Sequence, residues 1–223
     1  MQAILLAAGR GERMRPITDT TPKPLLKVGE RTLIEHQLMR LARAGIKRVA
    51  VNLFHLGGMI RDTLGDGSRF GLKIAWSREA ELLDTAGGII QAMSLVEGES
   101  FIVANADVWT GFDYSTLRPV DGRETLAHLV LVPNPPARPN GDFFLDGESR
   151  VHDRIDAPAA RCTFAGISVM HRNLFAGLKP EPLSVVPLLR AAMNRGQVGG
   201  ELYRGEWMDI GTPERLQELN ARQ

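Results

Sequence analysis

Gly9, Gly11, Arg13, Lys23, Asp107 and Asp209 have the types and settings that phosphate and metal chemistry need. The run Leu6-Ala7-Ala8-Gly9-Arg10-Gly11-Glu12-Arg13-Met14 passes from an apolar strand into two glycines and then into charge. Glycines at a strand end let backbone N–H groups approach phosphate oxygens. Arg13 adds a charge-assisted donor. In Thr20-Thr21-Pro22-Lys23-Pro24-Leu25 the two proline rings hold Lys23 in a stiff backbone, which suits it to neutralising phosphate. Asp107 follows an apolar strand, and Asp209 interrupts Trp207-Met208-Asp209-Ile210-Gly211-Thr212. A lone carboxylate in such a run is costly unless paired or bound to a cation. Bland readings stand beside these: a strand-to-helix turn for Gly-x-Gly, a solvated loop lysine for Lys23, a turn cap for each aspartate.

Several chemistries are excluded. A Walker A loop needs four residues between its glycines and then Lys-Ser/Thr, and the third glycine of a dinucleotide fingerprint is Met14 here. No Gly-x-Ser-x-Gly elbow is present, and the five histidines lack metal-ligand spacing; His36 and His55 fall on predicted helices. The 223 residues carry 27 Lys plus Arg against 26 Asp plus Glu, a net charge of +1 that leaves no footprint for nucleic acid or an anionic membrane. The single cysteine, Cys162, excludes an intrachain disulfide and fits a reducing cytoplasm, with a buried inert thiol expected. The apolar run 3–9 lacks a basic leader and is too short for a signal peptide or a span.

The elements that must position these residues read as an α/β fold. Strands are expected at 2–7, 48–53, 72–76, 100–104 and 127–132. Helices near 32–44, 55–64, 85–95 and 113–118 lie between them, two of them closed by Gly45 and Gly65. Alternation of this kind predicts a Rossmann-like, mostly parallel sheet with helices on both faces. Residues 8–30 are a loop. Pro133, Pro135, Pro136 and Pro139 mark an irregular connection, followed by short strands near 142–145 and 150–154, a better strand at 163–170, and helices near 184–194 and 213–221. One domain over 1–223 is expected, in two parts that meet at about residue 110. In open α/β sheets ligands sit beyond the carboxyl ends of the strands, where Gly9 and Asp107 fall.

The stretch Leu-Ala-Ala-Gly-Arg-Gly-Glu-Arg-Met-Arg-Pro followed by Thr-Pro-Lys-Pro-Leu resembles the signature of the sugar-nucleotide pyrophosphorylases, the sugar-1-phosphate nucleotidyltransferases. The likeness continues to Trp207–Thr212 and so spans nearly the whole chain. It implies that Ala8, Gly9, Gly11, Glu12, Arg13 and Lys23 hold a nucleoside triphosphate. Arg13, Lys23 and Asp107 then carry catalysis, and Asp107 with Asp209 holds Mg2+. The segment Glu79–Gly88 falls where such enzymes bind the base: Glu79 is placed to accept the imide N–H of uracil or thymine, or the N1–H and N2–H of guanine, and Gly88 to allow close approach to the sugar or base. Asn105, Asp142, Asp156 and Gly166 are the expected sugar contacts.

The chain departs from the family pattern in three places. It lacks a Glu-Lys-Pro segment on the sugar side, and Asp84 and Ala86 stand where Glu and Gly are usual. Its compact length and the runs 64–71 and 105–110 look most like the branch that uses UTP and N-acetylmuramic acid 1-phosphate. Arg138 or Arg154 would then meet the lactyl carboxylate. Mannose- or heptose-1-phosphate guanylyltransferases, phosphocholine cytidylyltransferases and a silent sugar-nucleotide sensor are the alternatives. The expected partners are a nucleoside triphosphate and a sugar 1-phosphate, with no nucleic acid and no membrane. A cytoplasmic monomer is expected.

Overall fold

In the computed structural model, residues 1–154 and 160–222 are described. Among the described residues thirteen strands and five α-helices follow one another. The first strand, β1 (Ala3–Leu6), leads into three 3-10 turns over Glu12–Leu25, where an unstructured loop was expected, and then the short pair β2 (Lys27–Val28) and β3 (Arg31–Thr32). Helix α1 (Leu33–Arg43), β4 (Arg48–Leu53), α2 (Gly57–Leu64), β5 (Lys73–Arg78) and α3 (Asp84–Ala92) come next. Then follow β6 (Ser100–Asn105), β7 (Val108–Thr110), β8 (Ala127–Val132), β9 (Phe143–Leu145), β10 (Val151–His152) and β11 (Ala160–His171). The chain closes with α4 (Val186–Met193), β12 (Val198–Leu202), β13 (Trp207–Asp209) and α5 (Pro213–Asn220).

The main sheet runs β10-β9-β11-β6-β1-β4-β5, with β8 also pairing β11 and β12 pairing β8. Strands β6, β1, β4 and β5 are parallel neighbours, as are β8 and β12, whereas β11 runs antiparallel to β6, β8 and β9. The expected α/β sheet is thus present, with an antiparallel wing after residue 133. The chain moves outward from β1 to β4 and β5, then returns to the other side of β1 with β6. Strand direction reverses its progress at that point, and a crevice opens beyond the strand ends there.

Residue alternation explains the layering. Ala3 and Leu5 join Leu38, Leu41, Ile60 and Leu64 under α1 and α2 on one face. Ile4 joins Ile89, Leu189 and Met193 under α3 and α4 on the other. A strand buried on both faces must be apolar throughout, which is why β1 reads Ala-Ile-Leu-Leu. Helix α1 starts where Thr32 and Glu35 cap each other, the Thr32 N–H donating to Glu35 at 2.8 Å, an arrangement worth about 1 kcal/mol.

Two helix readings also change. The expected helix at 113–118 is only a 3-10 turn over Tyr114–Thr116, and His55 precedes α2 instead of lying on it. Among the described residues no helix is long and apolar enough to cross a membrane. Cys162 is buried.

Candidate active site

The carboxyl end of β1 is the centre of the site. Its last peptide is locked from two sides: the Ala7 N–H donates to Asn52 Oδ1 at 2.6 Å, and the Ala106 N–H donates to Leu6 O at 3.0 Å. After this anchor, the N–H groups of Ala8, Gly9, Arg10 and Gly11 meet no acceptor among the described residues. Gly9 and Arg10 are exposed and Gly11 is half-buried, so these N–H groups face outward beside a cavity, where successive backbone donors can receive an anion. Gly11 is essential to the turn. Its φ is +64°, and an added Cβ would stand 2.9 Å from Thr18 Cγ2 and 3.2 Å from Lys23 Cβ. Thr18 closes the loop by donating to Gly11 O at 2.9 Å, and the His55 ring bonds Thr18 O at 2.8 Å.

The cavity beside this loop has a volume of about 580 Å3 and takes Gly9, Gly11, Glu12, Arg13, Lys23 and Asp107 into its walls. Residues nominated from 9 to 107 therefore meet at one place. Lys23 is buried, and its Nζ donates to Asp107 Oδ2. Arg13 lies over Gly211: a Cβ added there would come within 3.1 Å of its guanidinium. Gly211 follows β13, whose Asp209 pairs with Val108 of β7, one residue from Asp107. That two-stranded pairing, with the Ile210 N–H donating to Asp107 O at 3.4 Å, brings the backbone of Asp209 near that of Asp107 from a hundred residues away, although Asp209 is not among the residues lining this cavity. Trp207 helps to hold it, its indole N–H donating to Ala165 O at 2.9 Å.

Asp209 Oδ2 faces Arg138 at 3.2 Å and Arg215 at 3.6 Å. Both carboxylates are thus balanced by side-chain cations. Among the described residues no group of three or more acidic, His or Cys side chains could form a metal cage by itself. Asp107 and Asp209 are oxygen donors of the kind magnesium accepts, since it takes few protein carboxylates and completes its shell with phosphates and water.

A second cavity, of about 450 Å3, adjoins the first at Leu6. It takes in Asn105, Asp142 and Gly166, three of the four residues expected on the sugar side; Asp156 lies outside the described residues. Asn105 ends β6, and Gly166 sits at a bulge in β11 with φ +73°, where an added Cβ would stand 2.7 Å from Asn105 Nδ2. Asp142 Oδ2 accepts from the Phe164 N–H at 2.9 Å. Arg138 reaches the same cavity but is engaged by Asp209 and, at 3.8 Å, by Asp142. The proline-bounded segment is pinned by Asn134, whose Nδ2 donates to Pro139 O and Arg161 O.

Glu79 corrects the sequence reading. It is 8% exposed and lines neither cavity. Its Oε1 accepts from Asn52 Nδ2 at 2.7 Å and its Oε2 from the Leu83 N–H at 3.1 Å. Burial raises its pKa above the usual carboxylate value, against the lowering effect of those two bonds. Instead of an open acceptor for a base, Glu79 is a strut between β4 and the loop before α3, and Gly88 packs directly on it. Asn52, at 3% exposure, was missed by the sequence reading; its position at the end of a buried strand was the only signal. The start of α3 is likewise occupied. The Ala86 N–H donates to Leu183 O at 2.8 Å, and Thr85 Oγ1 accepts from the Val185 N–H at 2.8 Å.

The nucleotidyl transferase family profile matches residues 2–223. The chain belongs to the nucleotidyl transferase family. It is 43% identical over 226 residues to the N-acetylmuramate alpha-1-phosphate uridylyltransferase of Neisseria meningitidis, covering 99% of this chain and 97% of that protein. It is 30% identical to the mannose-1-phosphate guanylyltransferase of Mycobacterium tuberculosis, covering 96% of this chain but 62% of that longer protein. The fold is shared with HddC from Yersinia pseudotuberculosis, solved with GMP-PN, at a TM-score of 0.78 and 19% identity, over 99% of this chain and 98% of that one. The protein is therefore an enzyme of this family, with the sheet and crevice that the family uses.

Proposed function

We propose that this nucleotidyl transferase moves a uridylyl group from UTP to N-acetylmuramic acid α-1-phosphate and releases pyrophosphate. The observation that carries this reading is the 43% identity, nearly end to end, to a uridylyltransferase of that sugar. Two adjoining cavities at the end of β1, one lined by open N–H groups and cations and one by mixed polar and apolar side chains, support it. The reading includes a cytoplasmic setting and a role in recycling peptidoglycan sugars.

In this reading an oxygen of the sugar phosphate attacks the α-phosphorus in line. A new P–O bond forms as the bond to pyrophosphate breaks. The attacking oxygen is already ionised, so no strong base is needed, and positioning and charge balance do most of the work. The loop Ala8–Gly11 cradles the phosphates with its backbone, while Arg13 and Lys23 meet the charge that grows on the departing pyrophosphate. Asp107 and Asp209 would hold magnesium, which when bound supplies charge neutralisation between two polyanions. Lys23 then shifts from Asp107 towards phosphate. Asn105, Asp142 and Gly166 shape the sugar's seat. Glu79 and Asn52 set the base-side loop from beneath.

The test is pyrophosphate release across a panel of the common nucleoside triphosphates against N-acetylmuramic acid, N-acetylglucosamine, glucose and mannose 1-phosphates. The expected result is the highest kcat/KM with UTP and N-acetylmuramic acid 1-phosphate. A preference for GTP with mannose 1-phosphate would move the protein to the guanylyltransferases, to which it is also related. Nucleotide binding without turnover of any pair would make it a sensor.

A further inference from the structure

The sugar cavity does not end at the sugar. It touches the phosphate cavity at Leu6, and it continues at Arg161 and Arg190 into a third cavity of about 490 Å3 that also takes in Arg154. A sugar with its 1-phosphate at the Leu6 end therefore points its opposite side at arginines. These arginines are not equivalent. Arg138 is engaged by Asp209 and Asp142, and Arg190 Nε donates to Asp153 at 2.9 Å. Arg161 and Arg154 have no carboxylate partner among the described residues.

Arg161 is also the better presented of the two. It stands on β11 opposite Phe144 of β9, and its guanidinium lies over the Phe144 ring, 5.4 Å from the centroid. Stacking on an aromatic face fixes the plane of the group and leaves its N–H edge free for a planar anion. A cation pre-set in this way loses little freedom on binding, and a carboxylate can meet it with two parallel hydrogen bonds.

We propose that Arg161 is the receptor for a carboxylate carried on a side arm of the sugar 1-phosphate, with Arg154 adding positive potential from the cavity beyond. This rests on the reading above, in which the sugar bears a lactyl ether, and it transfers that contact from Arg138 to Arg161. The third cavity leaves room for arms longer than lactyl, so the ligand class is sugar 1-phosphates with an acidic arm, including arms extended through an amide.

The experiment measures kcat/KM with UTP for N-acetylmuramic acid 1-phosphate and for N-acetylglucosamine 1-phosphate, the same sugar without the acidic arm. It uses wild type, Arg161→Met and Arg161→Lys. Arg161 is exposed, so neither substitution disturbs the core. Wild type is expected to favour the acidic sugar. Arg161→Met should lower the ratio of acidic to neutral sugar by about tenfold to a hundredfold, the scale of a charge-assisted pair in a binding site, and Arg161→Lys should restore part of it. If wild type prefers the acidic sugar and Arg161→Met changes both sugars by the same factor, the assignment of Arg161 falls and the substrate reading stands. If wild type shows no preference for the acidic sugar, the substrate reading itself falls and takes the proposal with it.

Discussion

The phosphate cavity and the sugar cavity share one wall at Leu6 yet are made in different ways. Most of the phosphate side comes from residues 6–24, a single stretch that turns on Gly11 and is stiffened by Pro22 and Pro24. The sugar side is gathered from β1, α3, β6, the proline-rich segment, β11 and α4. A contiguous loop serves chemistry that does not change with the substrate, because every triphosphate presents the same phosphates. A wall assembled from many elements can be altered one residue at a time without touching the reaction. Changes on the phosphate side should therefore affect all sugars alike, and changes on the sugar side should alter the ratio between sugars.

The sharpest challenge to this contrast is Asp107→Asn. It keeps the size of the side chain but removes the charge needed beside the phosphates, so kcat should fall by about a hundredfold or more with every sugar, at saturating magnesium. Circular dichroism should show an intact fold, since Asp107 lies beside the cavity and outside the packed core. A loss confined to one sugar would break the division of labour.

Lys23→Ala should have the next largest effect. The lysine meets charge that develops as pyrophosphate leaves, so kcat should drop together with a rise in KM for the triphosphate, about tenfold to a hundredfold in kcat/KM. Initial rates over both substrates decide the point. A change only in the KM of the sugar phosphate would place Lys23 on the other side of Leu6.

The strut beneath both cavities gives the smallest effects. Asn52→Ala leaves the Ala7 N–H and a Glu79 oxygen without partners, and should cost about 1–3 kcal/mol in urea denaturation. Glu79 adds a pH signature. Its pKa is raised in the folded protein, chiefly by burial. The folded state therefore binds that proton more tightly than the unfolded chain, so the contribution is present below the ordinary carboxylate value and is lost as pH rises through the raised one. The stability of wild type relative to Glu79→Gln should fall as pH rises from the ordinary carboxylate value through the raised one. A flat difference would mean that Glu79 titrates alike in both states.

Much of this was legible in the chain. β1, β4, β6 and β8 announce themselves as short apolar runs, because a strand buried on both faces has no polar side to show. Helix α1 shows its cap and its closing glycine. The phosphate loop was readable because its parts are neighbours in sequence and glycine and proline carry backbone information of their own. What the sequence left open has a common cause. β7 and β13 have three residues each, β12 carries two glycines, and all three pair with partners far away in sequence, so no local period marks them.

Residue types and spacing alone therefore determined the parallel half of the sheet, β1, β4, β5 and β6, and nominated the loop after β1 together with Asp107 and Asp209. Only the tertiary structure brought the segments that carry those two aspartates together, through the pairing of β7 with β13. It also buried Glu79 against Asn52, paired Arg138 with Asp209, and gave Arg161 no carboxylate partner among the described residues. A charged side chain is available to a ligand only if the fold does not neutralise it first. That depends on which carboxylates the strands bring within about 4 Å, a distance the linear chain does not encode.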